Sequence, residues 1–217
     1  MAARKLTKRK LNPSETPAEG RIRLMNERRA LVKRTRLGRM FSSFSKKLGK
    51  ISHQFIKNGH ISNSPESTCI GLDEQLMIIA NSFLFFENQP LARARIMSGV
   101  RNGMKELVID AIQGHTQYTS KFASKMKQFS DQNSRPWNVA LVQSLIDTAY
   151  RAGFDRVLFR DIETSFDYKN PYITRKGETV ESTRERMKSL YTWTKKDCGF
   201  TKDEWIGDAH YWVREFP

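Results

Sequence analysis

Between Leu107 and Phe159 the chain carries a short apolar run, a bounded helix signal and a second apolar run, and this order admits few folds. Leu107-Val-Ile-Asp-Ala-Ile112 is brief and stops at Gln113-Gly114, the pattern of a buried strand. Pro136 suits the first turn of a helix in which Val139, Val142, Ile146 and Ala149 share one face, and Gly153 ends it. Arg156-Val-Leu-Phe159 then reads as another strand. Strand, helix, strand in that order implies a right-handed parallel crossover, and so an α/β fold.

The flanking segments extend the sheet. Leu76-Met-Ile-Ile-Ala-Asn-Ser-Phe-Leu-Phe-Phe86 fits a buried strand or strand pair, although periodicity does not separate these from a buried helix. Pro90 predicts the first turn of a helix running through Ile96 to Val100 and ended by Asn102-Gly103. Residues 115–134 are polar, with Lys121, Lys125 and Lys127 interleaved with Tyr118, Phe122 and Phe129. Ser182-Thr-Arg-Glu185 reads as a capping box, after which Met187, Leu190, Tyr191, Thr194 and Cys198 follow one helical face to Gly199. The alternation in His210-Tyr-Trp-Val-Arg-Glu-Phe216 predicts a closing strand.

Charge divides the 217 residues unevenly. Residues 1–60 hold 17 of the 38 Lys and Arg but three of the 23 acids, a net +14 that leaves only +1 for the rest. The polar run Asn58–Thr68 marks the division, giving a basic arm over 1–60 and an α/β domain over 61–217. After Pro17 and Gly20, the arm reads as one helix or two. Leu24, Leu31, Met40, Phe41, Phe44, Leu48, Ile51 and Phe55 form its apolar side. Arg28, Arg29, Lys33, Arg34, Arg36, Arg39, Lys46 and Lys47 form its basic side, the candidate nucleic-acid-binding residues. Such a helix can lie in a nucleic-acid groove, on anionic lipid, or against its own domain with its charges in water. Nucleic acid is the expected polyanion partner. No apolar run is long enough to span a bilayer, and Cys69 and Cys198 form no ligand or disulfide pattern, so free thiols in a reducing cytoplasm are expected.

No phosphate-binding G-x-x-x-x-G-K-[ST] loop and no G-x-S-x-G elbow occurs, and the four histidines are scattered. Asp161, Glu163 and Asp167 follow a strand end, where α/β proteins place ligands; they also suit a solvated loop paired by Arg156, Arg160 and Lys169. Arg135-Pro-Trp-Asn-Val-Ala140 lies between strand and helix, where free backbone N–H groups accept phosphate.

Here the chain resembles the GNAT superfamily of N-acyltransferases, over roughly residues 70–217. Arg135, Asn138 and Ala140 stand at the marked positions of that family's coenzyme A loop, [QR]-x-x-G-x-[GA], with asparagine in place of its glycine. The ending Gly199-Phe200 is shared as well, but Lys195 stands at the family's helix tyrosine and Tyr191 lies one turn earlier. The resemblance implies a mixed sheet with flanking helices and acetyl-coenzyme A, or another acyl-coenzyme A, as donor to an amine. Ala111 to Gln113 would grip the pantetheine and Arg135 to Ala140 the pyrophosphate. Asp110 or Glu163 would act as base, and Tyr191 as acid.

Overall fold

The computed structural model describes residues 16, 35–70, 76–114, 120–171 and 177–217. Helix α1 (Arg36–Phe55) comes first, and four antiparallel strands follow: β1 (Gly59–Ile70), β2 (Leu76–Phe86), β3 (Gln89–Arg101) and β4 (Met104–Gly114). Helices α2 (Ser120–Asn133) and α3 (Trp137–Ala152) lead to β5 (Arg156–Arg160). A 3-10 turn (Ile162–Thr164), the short α4 (Phe166–Lys169) and α5 (Val180–Asp197) precede the hairpin of β6 (Lys202–Ile206) and β7 (Ala209–Glu215). The seven strands form one mixed sheet in the order β1-β2-β3-β4-β5-β7-β6, and only the β4–β5 pair is parallel. The chain is thus α/β, with helices flanking a mixed sheet. Among the described residues, no helix is long and apolar enough to cross a membrane.

The helix bounded by Pro136 and Gly153 is α3, and Gly153 takes the left-handed φ of 83° that lets its N–H reach the last carbonyls. The expected strands at 107–112, 156–159 and 210–216 are β4, β5 and β7, and the open question at 76–86 resolves as the single strand β2. Three expectations are corrected. Residues 89–101 are strand, not helix, because Asn102-Gly103 is a two-residue hairpin turn (φ 51° and 80°) that pairs Arg101 with Met104. Pro90 sits near the start of that strand, where its missing donor is tolerated. The polar run 58–68 lies largely within β1, held by its pairing to β2 rather than by its own hydrophobicity. The capping box of α5 lies one turn earlier than Ser182 to Glu185: Thr179 Oγ1 accepts from Ser182 N–H (3.1 Å) and Thr179 N–H donates to Ser182 Oγ (2.9 Å).

Helix α1 packs its apolar side on the sheet and α3. Leu37, Phe41, Phe44 and Leu48, spaced four, three and four apart, enter the main hydrophobic cluster with Ile61 of β1, Leu107 and Ile109 of β4, and Leu141 and Leu145 of α3. Thr35 caps its first turn, accepting from Gly38 N–H at 2.9 Å. Of the three uses of a basic amphipathic helix, residues 36–55 show the packing one, with their charged side left outward.

Candidate functional site

Strands β4 and β5 run side by side only from Glu106 to Ile109 and from Arg156 to Phe159. One residue later β4 bulges. Arg95 of β3 pairs with Ala111 while its neighbour Ile96 pairs with Ile109, which leaves Asp110 as the extra residue. The bulge explains why Leu107, Ile109 and Ile112 all face the core despite their uneven spacing. The pairing of β4 with β5 ends there, at Ile109 and Phe159, while Ile112 stays in register with Ala94 of β3. The Tyr191 hydroxyl of α5 accepts the Ile112 N–H at 2.8 Å. Its ring stacks on Phe159 of β5, with centroids 5.0 Å apart and 8° between planes. Tyr191 therefore links one strand to the other. Complete burial pushes its phenol well above the usual range, outweighing the opposing effect of the Ile112 hydrogen bond, so it stays protonated at any physiological pH.

Helix α3 opens with Trp137 near Gly114, at the end of β4. Its N-cap is Pro136, which makes no side-chain cap bond, and the first in-helix bond runs from Ala140 N–H to Pro136 O at 3.1 Å. By helix geometry the N–H groups of Trp137, Asn138 and Val139 lack intrahelical acceptors. The Asn138 side chain turns inward and donates to Thr194 Oγ1 at 2.6 Å, tying α3 to α5. Ala140 is fully buried and Arg135 half-buried. At the position where the resemblance expects the tyrosine, the Lys195 ammonium lies over the Trp212 ring, 4.6 Å from its centroid.

The acids Asp110 and Glu163 and the amide Gln113, assigned by sequence, do not converge. Asp110 Oδ1 accepts from Arg160 at 2.9 Å, and its Oδ2 lies 3.8 Å from Arg95. Glu163 pairs with Lys188 at 2.6 Å on the exposed side of the 3-10 turn. Gln113 accepts both Arg93 donors, at 3.1 and 2.8 Å, and Ala111 sits half-buried next to the bulge. Of the basic candidates, Arg36, Arg39 and Lys46 are exposed on α1, while Lys47 donates to Arg151 O. Arg28, Arg29, Lys33 and Arg34 lie outside the described residues.

Sequence reasoning passed over His210. Its Nδ1 lies 2.8 Å from Asp161 and its Nε2 3.0 Å from Asp203. Burial opposes its charged form, but the two carboxylates outweigh burial and raise its pKa. The β5–β7 and β6–β7 registers create this cluster, and no spacing in the sequence announces it. Asp161 thus pairs with a residue 49 positions away, not with the local bases expected for it. Among the described residues no group of three or more His, Cys, Asp or Glu is gathered as for a metal ion. Comparison with protein-family models finds no match, and no curated protein matches the chain in sequence.

Proposed function

We propose that the chain is a GNAT-like N-acyltransferase that moves an acyl group from coenzyme A to an amine, with its basic arm docking on a polyanion. The observation that carries this reading is the end of the β4–β5 pairing, with the bulge at Asp110, Ile112 N–H turned to Tyr191 of α5, and α3 opening with Trp137 near Gly114 at the end of β4 and Asn138 bonded to the same α5. A backbone donor released from its sheet can hold an amide or thioester carbonyl once the Tyr191 hydroxyl that accepts it gives way, and an uncapped helix start can hold a pyrophosphate. Ala111 to Gln113 and Arg135 to Ala140 supply these two features. Only the backbone of Asn138 is available to a phosphate, since its side chain is engaged by Thr194. Coenzyme A would present the thioester. Tyr191, protonated and already at the Ile112 N–H, is the group placed to give a proton to a leaving thiolate. Asp110 faces the base role encumbered by Arg160, and Glu163 by Lys188.

The test is the melting of the full chain with acetyl-coenzyme A. A ligand at a hundredfold excess over its Kd adds about 2.7 kcal/mol and several degrees. Tyr191→Phe is expected to keep that shift and lose acyl transfer to a panel of amines. An unshifted midpoint in a chain that melts cooperatively would sink the reading.

A second reading, a non-catalytic polyanion binder, draws on α1. Its first turn carries Arg36 and Arg39 and no acid, and Lys46 and Lys50 follow on the exposed side. Binding to duplex DNA that weakens steeply with salt and is insensitive to acetyl-coenzyme A is its signature.

A further inference from the structure

The sheet has a second face, and one end of it joins aromatic rings to arginines. On β2 the even positions Ile78, Ala80, Leu84 and Phe86 enter the helix-covered cluster, so Phe83 and Phe85 point the other way, and both are half-buried. His60 of β1 is paired with Phe85 and stacks on it, with centroids 5.1 Å apart and 8° between planes. Phe83 and Phe85 lie 6.5 Å apart, and His53, in the last turn of α1, lies 5.9 Å from His60. The row then passes to cations: Phe83 is directly opposite Arg93, and Asn81 is opposite Arg95. Both arginines are exposed. Among the described residues Arg93 donates to the neutral Gln113, and Arg95 approaches Asp110, itself already bonded to Arg160. Ser62 and Ser64, the exposed β1 residues of the same face, add no charge. Glu87 at the hairpin tip is met by Lys125 at 3.9 Å. On the other side the ring row continues into the α1 stripe of Lys46, Lys50 and His53, all exposed.

Flat rings on an antiparallel face, with guanidinium groups beside them and, among the described side chains of that face, no uncommitted acid, match one class of ligand: unpaired bases joined by phosphates. The geometry points to single-stranded nucleic acid bound across this face, its bases stacking on Phe83, Phe85 and His60 and its phosphates held by Arg93 and Arg95. A duplex cannot use the rings, because its bases are already stacked. His60 and the α1 lysines belong to the basic arm, while Phe83, Phe85, Arg93 and Arg95 of the sheet would add base stacking to its charge, and the inference does not depend on acyl transfer.

Fluorescence anisotropy of the full chain with a labelled 20-nucleotide oligothymidine and with a labelled duplex of the same length separates stacking from charge. The expected result is that Phe83→Leu with Phe85→Leu weakens the single strand at least about fivefold and leaves the duplex unchanged. Arg93→Gln with Arg95→Gln is expected to flatten the slope of log affinity against log salt for the single strand by about 1.4. If the leucine pair lowers the melting point enough to unfold the chain, the glutamine pair, confined to exposed side chains, carries the test alone. Equal loss, or no loss, for single strand and duplex in both variants would overturn the inference and leave the arm as the whole interface. Binding to phosphatidylserine vesicles that the leucine pair abolishes, with oligothymidine unaffected, would overturn it in favour of lipid.

Discussion

On the helix-covered face, β4 presents Leu107, Ile109 and Ile112 to a continuous apolar cluster shared with α1, α3 and α5. On the opposite face the same strand presents Glu106, Val108 and Asp110. There the apolar cluster is small and made of strand residues alone: Val108, Leu158, Ala209, Tyr211 and Val213, with Met97 and Ile206 beside it. Its middle is one row of directly opposed residues, Ile79, Met97, Val108, Leu158 and Val213. Ion pairs close it on both sides. At one end Arg156 and Arg101 converge on Glu106, with Glu204 2.6 Å from Arg156; at the other, Arg160 holds Asp110. The first face is held by area removed from water, the second by a narrow apolar row locked between charges. The backbone proposed to hold coenzyme A lies on the first face, at the bulge of β4 and the start of α3.

The comparison breaks if the two apolar sets answer truncation differently. Phe44 and Leu158 are both fully buried. Phe44→Ala should cost about 3–5 kcal/mol, lowering the midpoint by about 6–20 °C, and Leu158→Ala about 2–5 kcal/mol. A loss under about 1 kcal/mol at Leu158 would show that the strand-only cluster is not packed as a core.

The charged lock is sharpened by removing one partner or two. Glu106 and Arg156 side chains are each 6% exposed, so Glu106→Ala leaves the buried Arg156 with the more exposed Glu204 alone and should cost about 3–5 kcal/mol. Replacing the pair together, by Glu106→Met with Arg156→Leu, should cost far less, because the desolvation of both charges disappears. A double variant as unstable as the single one, measured by urea melting, would mean that the charges themselves hold the face.

How far these features could be read in advance depends on what each rests upon. Helix α3 was legible because Pro136 and Gly153 bound it locally, and β4 and β5 because a strand buried on both faces is apolar throughout. Strand β1 was not: only its pairing with β2 makes Asn63, Ser64 and Pro65 a strand, and an edge strand has no need of an apolar run. Strand β3 is ambiguous in sequence because Pro90 and Asn102-Gly103 serve equally as helix or hairpin punctuation, and the alternation Ala92, Arg93, Ala94, Arg95, Ile96 is the signal of the strand. Tyr191 was found from its helical face, but its partner, Ile112 N–H, appears only once the bulge sets the register. Asn138 marks the same limit: its position in the loop was legible, its inward turn to Thr194 was not.

Tyr191 joins β4 to β5 at the break from the helix-covered side, and its hydroxyl can be removed with little change of shape. Tyr191→Phe leaves Ile112 N–H buried without an acceptor, which should cost about 1–3 kcal/mol. A midpoint equal to that of the parent chain would mean that water or a shifted β4 satisfies the N–H, and the break would then be looser than its geometry indicates.

The smallest expected effect concerns His210 at the far edge, where a titrating group joins β7 to both β6 and the end of β5. Because the folded pKa lies above the unfolded value near 6.5, the charged histidine contributes its full stabilisation below about pH 6.5 and loses it as pH rises through the folded pKa. Asp203 is 63% exposed, so solvent screens its share, and Asp161, 15% exposed, carries most of the coupling. The midpoint of the parent chain should therefore fall from pH 6 toward pH 9 relative to that of His210→Gln, and Asp161→Asn should shrink the gap more than Asp203→Asn. Parallel pH profiles for parent and His210→Gln would show that the imidazole stays neutral in its cluster. The edge hairpin would then be held, like the helix-covered face, by its rings: Trp205 stands 5.0 Å from His210 and Trp212 6.3 Å from it, and Trp205→Ala would become the costlier change.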